Sequence, residues 1–186
     1  MSRRNLRRCL VPLLALVALA AIAVPAIAGG GPPNRATQSI VGGVKFVPNR
    51  LIGDTMHFKK DVIEVRKGGK IVIKDRTKQD HTLSLVKKRQ VPKNARQVDG
   101  CFENGPCLQL AIDHDAIDPN TGEPKPVPGV PLVNKGKAGF NEPGDSIFIP
   151  GKSKRTIDVS GGKDMYYICA IHPWMQGKID VPPLSR

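Results

Sequence analysis

The chain has 186 residues, with 29 Lys and Arg against 16 Asp and Glu for a formal charge of +13, and only 4% of its residues are aromatic. That length holds one ordinary domain with appendages, and 19 Gly with 17 Pro argue for many turns and against a large helical bundle, so an all-β domain is expected. The lysines are dispersed with no aromatic stacking set between them, which argues against nucleic acid as a partner.

Residues 1–28 read as an export signal: Arg3, Arg4, Arg7 and Arg8 precede an apolar run from Leu10 to Ala28 that closes on Ala26-Ile27-Ala28. Pro12, Pro25 and the small-residue ending favour cleavage after Ala28; left uncleaved, the segment would act as a membrane tether. Ser2-Arg3-Arg4 also resembles a twin-arginine signal. The expected location is therefore periplasmic or extracellular. Without the four arginines, 25 Lys and Arg face 16 Asp and Glu. A formal +9 of that kind steers encounters with acidic proteins or an anionic membrane surface.

Residues 29–42 read as a flexible leader, and the domain is expected over 43–186. Strand signals follow at Val44–Val47, Met56–Phe58, Val62–Val65, Ile71–Ile73 and Thr82–Val86, with Lys67-Gly68-Gly69-Lys70 read as a turn between the third and fourth. From about 88 to 143 the periodicity fades among Pro, Asn, Asp and Gly, marking a long inserted loop region. Strands resume at Ser146–Ile149, Lys154–Val159, Met165–Cys169 and Lys178–Val181. Short strands at turn-punctuated intervals indicate a sandwich or barrel.

Of the four cysteines, Cys9 lies in the signal. Cys101 and Cys107 are close enough in sequence to form a local disulfide in an oxidising compartment, which leaves Cys169 without a partner. A metal is one of the few reasons to keep a lone thiolate in an exported protein. The segment Tyr167-Ile-Cys169-Ala-Ile-His172-Pro-Trp-Met175-Gln-Gly177 reads as a strand, a tight loop and the start of the next strand. It gathers a thiolate, an imidazole and a thioether. A thioether in the set selects a soft, redox-active metal, and copper in an electron-transfer geometry needs a second histidine. His81 supplies it by position, where one strand ends and another begins. His57 lies inside an apparent strand, and His114, between Asp113 and Asp115, suits a solvated loop or a weak surface metal site.

The Cys-x2-His-x2-Met spacing with Pro173, together with residues 56–87 leading to His81, resembles the plastocyanin and azurin family of blue-copper cupredoxins, with an amicyanin-like short ligand loop. The resemblance covers about residues 56–87 and 143–183 and does not extend to the insertion. It implies a Greek-key sandwich or barrel, one type 1 copper ion on His81, Cys169, His172 and Met175, and single-electron exchange with redox partner proteins. It differs at Thr82, where many members carry an asparagine that braces the two ligand loops. An enzyme is disfavoured: a Cys-His hydrolase has no use for Met175, no Cys-x-x-Cys-His haem run occurs, and no His-x-His pairs for a trinuclear copper centre are present. A copper carrier or storage protein without redox cycling is the alternative, against which stands the scarcity of methionine, with only Met1, Met56, Met165 and Met175 in the chain.

Overall fold

A computed structural model describes residues 31–118 and 120–183; the expected signal over 1–28 lies outside them. Twelve strands are present among these residues: β1 (Arg35–Val41), β2 (Val44–Val47), β3 (Leu51–Asp54), β4 (His57–Phe58), β5 (Val62–Glu64), β6 (Lys70–Asp75), β7 (His81–Val86), β8 (Leu132–Val133), β9 (Ser146–Ile149), β10 (Lys154–Asp158), β11 (Met165–Ile168) and β12 (Gln176–Asp180). They form a four-stranded sheet in the order β10-β6-β1-β4, a six-stranded sheet in the order β5-β12-β11-β7-β9-β8, and a separate β2-β3 hairpin. The pairs β1–β6 and β5–β12 are parallel and the others antiparallel. This is the expected all-β, cupredoxin-like sandwich.

One expectation is corrected. Residues 35–41, read as part of a flexible leader, form β1, which pairs with β6 from Arg35 to Ile40 and buries Ala36, Gln38 and Ile40. The expected turn at Gly68-Gly69 is present, and the strands it joins lie in different sheets: β5 belongs to the six-stranded sheet and β6 to the four-stranded one. The turn between them carries the chain across the sandwich. Gly68 sits at φ 77°, and a side chain on Gly69 would meet Asn34 O at 2.8 Å and Arg66 O at 2.9 Å, so both glycines are required there.

The main core lies between the two sheets, where Ile40, Ile71, Ile73 and Ile157 face Leu83, Leu85, Ile149, Tyr167 and Ile179. Among the described residues this core runs from Ala36 to Val181. Tyr167 ties the layers together. Its ring meets Phe58 edge-on at 5.0 Å, its hydroxyl accepts from Gln38 Nε2 at 2.8 Å, and it donates to Lys60 O at 3.3 Å. Gly177 stands opposite Tyr167 in β12, where any Cβ would collide with the phenol.

Every residue of β7 is buried, which an ordinary two-layer sandwich would not require. The cause is the insertion. It runs through a 3-10 turn (Lys88–Gln90), α1 (Ala95–Asp99), the Cys101–Cys107 disulfide, α2 (Cys107–Asp113) and β8, and it covers the outer face of the six-stranded sheet. Val86, Ile168 and Ala170 of that face form a second core with Cys101, Cys107 and Leu110.

The return of the insertion is clamped by Asp145. This buried carboxylate accepts backbone N–H groups of Lys135 (2.8 Å), Asn141 (2.8 Å) and Glu142 (3.0 Å). Asp145→Ala is expected to cost about 2–4 kcal/mol by removing the shared acceptor of three backbone donors, and Asp145→Asn less, because one acceptor oxygen survives. Urea unfolding of the three proteins checks this.

Candidate metal centre

The antiparallel pairing of β7 with β11 sets the first residue of one strand beside the end of the other, so His81 and Cys169 meet at one end of the sheet. The loop after β11 turns tightly, with Met175 N donating to His172 O at 2.8 Å and Cys169 N donating to Met175 O at 2.9 Å. This closure brings His172 round to the other two. The three donor atoms form a nearly isosceles triangle: Cys169 Sγ lies 3.8 Å from His81 Nδ1 and 3.8 Å from His172 Nδ1, and the two nitrogens are 3.2 Å apart. All three residues are buried. The circle through the three atoms has a radius of about 2.1 Å, between the metal–nitrogen and metal–thiolate distances of about 2.0 and 2.3 Å.

The outer nitrogens fix the tautomers. The Thr77 hydroxyl donates to Gln79 O at 3.2 Å and so accepts from His81 Nε2 at 2.9 Å, and His172 Nε2 donates to Gln79 Oε1 at 3.1 Å. Both Nδ1 lone pairs therefore point inward at one another. Two lone pairs at 3.2 Å repel unless a cation stands between them, and a proton does not serve: burial lowers the pKa of His81 to about 4 and that of His172, which also feels His81, to about 4. Burial pushes the Cys169 thiol up, opposed by backbone N–H groups of Thr82 (3.3 Å to Sγ) and His172 (3.4 Å), and by Ile171 and the Thr82 side chain. Two neutral imidazoles and a sulfur already aimed at by N–H donors fit a soft cation. The group is able to hold one copper ion.

Of the residues singled out from the sequence, His81, Cys169 and His172 are brought together, and Met175 is buried on the same loop, in the main core with Cys169. His57 is exposed and its Nδ1 meets Thr55 O, away from the cluster. His114 is neither solvated nor at a surface site: it is buried, with hydrogen bonds to Val130 O and Ser146 Oγ. Thr82 braces the ligand loop through its hydroxyl, which accepts Ala170 N–H at 2.7 Å. Thr77 and Gln79 were not singled out from the sequence; their only local signal is their place in the polar run just before His81. Asp75, at the start of that run, is buried with Oδ2 unpartnered 3.8 Å from His81 Nε2, and burial raises its pKa.

Neither a family model nor a curated protein matches the chain. Among solved structures, auracyanin A, a "blue" copper protein from the green thermophilic photosynthetic bacterium Chloroflexus aurantiacus, is 18% identical over 80% of this chain and 99% of its own, with a TM-score of 0.36. Dithionite-reduced auracyanin from the photosynthetic bacterium Roseiflexus castenholzii is 16% identical over 68% of this chain and 88% of its own, with a TM-score of 0.35. The multicopper oxidase mgLAC is 13% identical, and the match spans 82% of this chain and 39% of the oxidase, with a TM-score of 0.32. Scores of this size carry no inference by themselves; the sheet order and the donor triangle do. Those two features define a cupredoxin-like sandwich with a His-Cys-His donor set for one copper ion at one end.

The depressed histidines make the metal-free protein sensitive to acid. Their folded-state pKa values lie below the ordinary value of 6.5, so the unfolded chain binds protons first as pH falls. Stability is expected to be full above about pH 6.5 and to decline toward pH 4, with the loss reduced in His172→Asn. Urea midpoints of the metal-free protein across that range check it.

Proposed function

We propose that the protein is an exported mononuclear type 1 copper protein that carries single electrons between redox partners, with the metal held by His81, Cys169, His172 and the thioether of Met175. The observation that carries this reading is the donor triangle, whose three lone pairs converge before any metal arrives. Copper bound there supplies a one-electron Cu(II)/Cu(I) couple. The chain supplies a cage that has little to rearrange: Thr77 and Gln79 hold both imidazoles, Thr82 holds the loop, and two backbone N–H groups hold the sulfur.

A route to partners is also available. Ile171 and Trp174 are exposed on the ligand loop, and the Trp174 ring meets His172 at 5.1 Å while its N–H donates to Met56 O at 3.1 Å. This apolar edge, on a chain of strongly basic balance, suits a partner with an acidic docking surface, or an encounter at an anionic membrane surface. A copper carrier needs donors open to exchange, whereas these are buried. An oxidase needs further copper ligands, and among the described residues the triangle is the one cluster of its kind. Export rests on the arginine-led apolar segment over 1–28, which favours the periplasm or the exterior. Among the described residues no helix is long and apolar enough to cross a membrane.

Adding Cu(II) to residues 29–186 is expected to give an intense thiolate-to-copper band at one copper per chain. Cys169→Ala should lose the band entirely, and Met175→Leu should keep it while the reduction potential rises, because losing a donor costs Cu(II) more than Cu(I). Stoichiometric uptake with no band would overturn the assignment.

A further inference from the structure

The β2-β3 hairpin pairs with neither large sheet, and both of its legs are rooted beside the donor triangle. On the entering leg, Ile40 of β1 is in register with Asp75, whose Oδ2 lies 3.8 Å from His81 Nε2, and the hairpin begins a few residues later at Val44. On the leaving leg, Met56 O accepts the Trp174 N–H at 3.1 Å, and the Trp174 ring meets His172 at 5.1 Å. The base between the legs is tied: Thr55 N–H donates to Gly43 O at 3.0 Å, and Met56 N–H donates to Asp54 Oδ1 at 2.7 Å. The hairpin therefore projects from the same end of the sandwich as the donor triangle.

Its side chains are unlike those of a solvated loop. Phe46 and Ile52 form a cross-strand pair that is 66% and 75% exposed, with Val44 on the same face. Leu51, half-exposed, lies on the opposite face with Val47 and Lys45, because successive strand residues alternate. Apolar groups thus project from both faces. The flat surface of a partner protein covers one face of such a ribbon, whereas lipid closes round both.

The charge of this end selects an anionic surface. Lys45 and Arg50 are exposed on the hairpin, which has no acid before Asp54. Arg76, Lys78 and Lys152 are exposed on the two loops that meet the end of β1: Arg76 N–H donates to Ile40 O at 3.0 Å, Lys152 N–H donates to Thr77 O at 3.0 Å, and Lys152 Nζ donates to Arg76 O. Among the described residues none of these five cations is in an ion pair. The neighbouring acids Asp54 and Asp80 each accept a backbone N–H, from Met56 and Gly151.

We propose that the β2-β3 hairpin is a membrane-docking arm that seats at the headgroup level of an anionic bilayer, with Phe46, Leu51 and Ile52 among the lipids and Lys45 and Arg50 on their phosphates. Among the described residues β2 and β3 pair only with each other, so their outer N–H and C=O groups must stay hydrated, which limits the arm to the interface. Seated in this way, the end of the sandwich that carries His172 and Trp174 faces the bilayer. The docking deepens the partner reading above and rests on it for its purpose, but it needs no metal.

Metal-free protein cleaved after Ala28, which lacks the apolar leading segment, is expected to co-sediment with vesicles of phosphatidylcholine and phosphatidylglycerol, not with phosphatidylcholine alone, and to be released as salt rises. Phe46→Ser and Ile52→Ser are each expected to weaken binding about tenfold, and Lys45→Glu with Arg50→Glu to abolish it, with melting temperatures near the parent. A reporter separates insertion from simple electrostatic adsorption and keeps an apolar group at the tip should a serine variant fail to fold. Trp174 is the one tryptophan, so the emission of Phe46→Trp in a Trp174→Phe background should shift to the blue on binding and be quenched by brominated lipid. No binding to anionic vesicles, binding that the hairpin variants leave intact, or an unshifted reporter would each overturn the docking arm. Slower electron exchange of the same variants with an acidic soluble redox protein, without vesicle binding, would replace the bilayer with a protein partner. Failure of the vesicle test leaves the thiolate-to-copper band untouched, and a missing band leaves the vesicle result standing.

Discussion

The structure turns on two imidazole lone pairs held 3.2 Å apart in a dry interior. Nothing in a metal-free core favours that arrangement. It persists because the outer nitrogens are committed elsewhere, His81 to Thr77 and His172 to Gln79, so neither ring can rotate without abandoning a buried proton. The six-residue run Asp75–Asp80 thereby orients one ligand at the start of β7 and one on the loop after β11. It accounts for a site that is assembled in advance of its occupant.

The same logic extends to the sulfur. Cys169 follows β11 where the six-stranded sheet gives way to the ligand loop, and the amides of Thr82 and His172 converge on it from two directions. Those donors favour the anionic form against the cost of burial. Loop closure by Met175 and His172 keeps Cys169, His172 and Met175 within one tight loop.

How legible this was in the sequence depended on distance along the chain. Cys169, His172 and Met175 lie within seven residues and their spacing displays the loop directly. The partners that fix the rings do not: Gln79 is 93 positions from His172, and a glutamine in a polar run has no distinguishing local pattern. β1 was missed for a related reason. Its inward face is Ala36, Gln38 and Ile40, and the buried polar Gln38, matched to Tyr167 and Lys60 O, breaks the apolar alternation that marks a strand. Thr82, Ser84 and Ser146 alternate as solvent-facing residues should. Only the fold reveals that the insertion covers them, and that His114 is the partner their burial requires.

The β2-β3 hairpin stands apart from both sheets, and its cross-strand pair Phe46 and Ile52 is 66% and 75% exposed. Open strand edges bearing apolar side chains are templates for pairing with other copies. Lys45, Pro48 and Arg50 interrupt the stretch at intervals too short to leave an uncharged six-residue window. These three residues act as gatekeepers against self-association, and their loss would reach yield and solubility before it reached the metal.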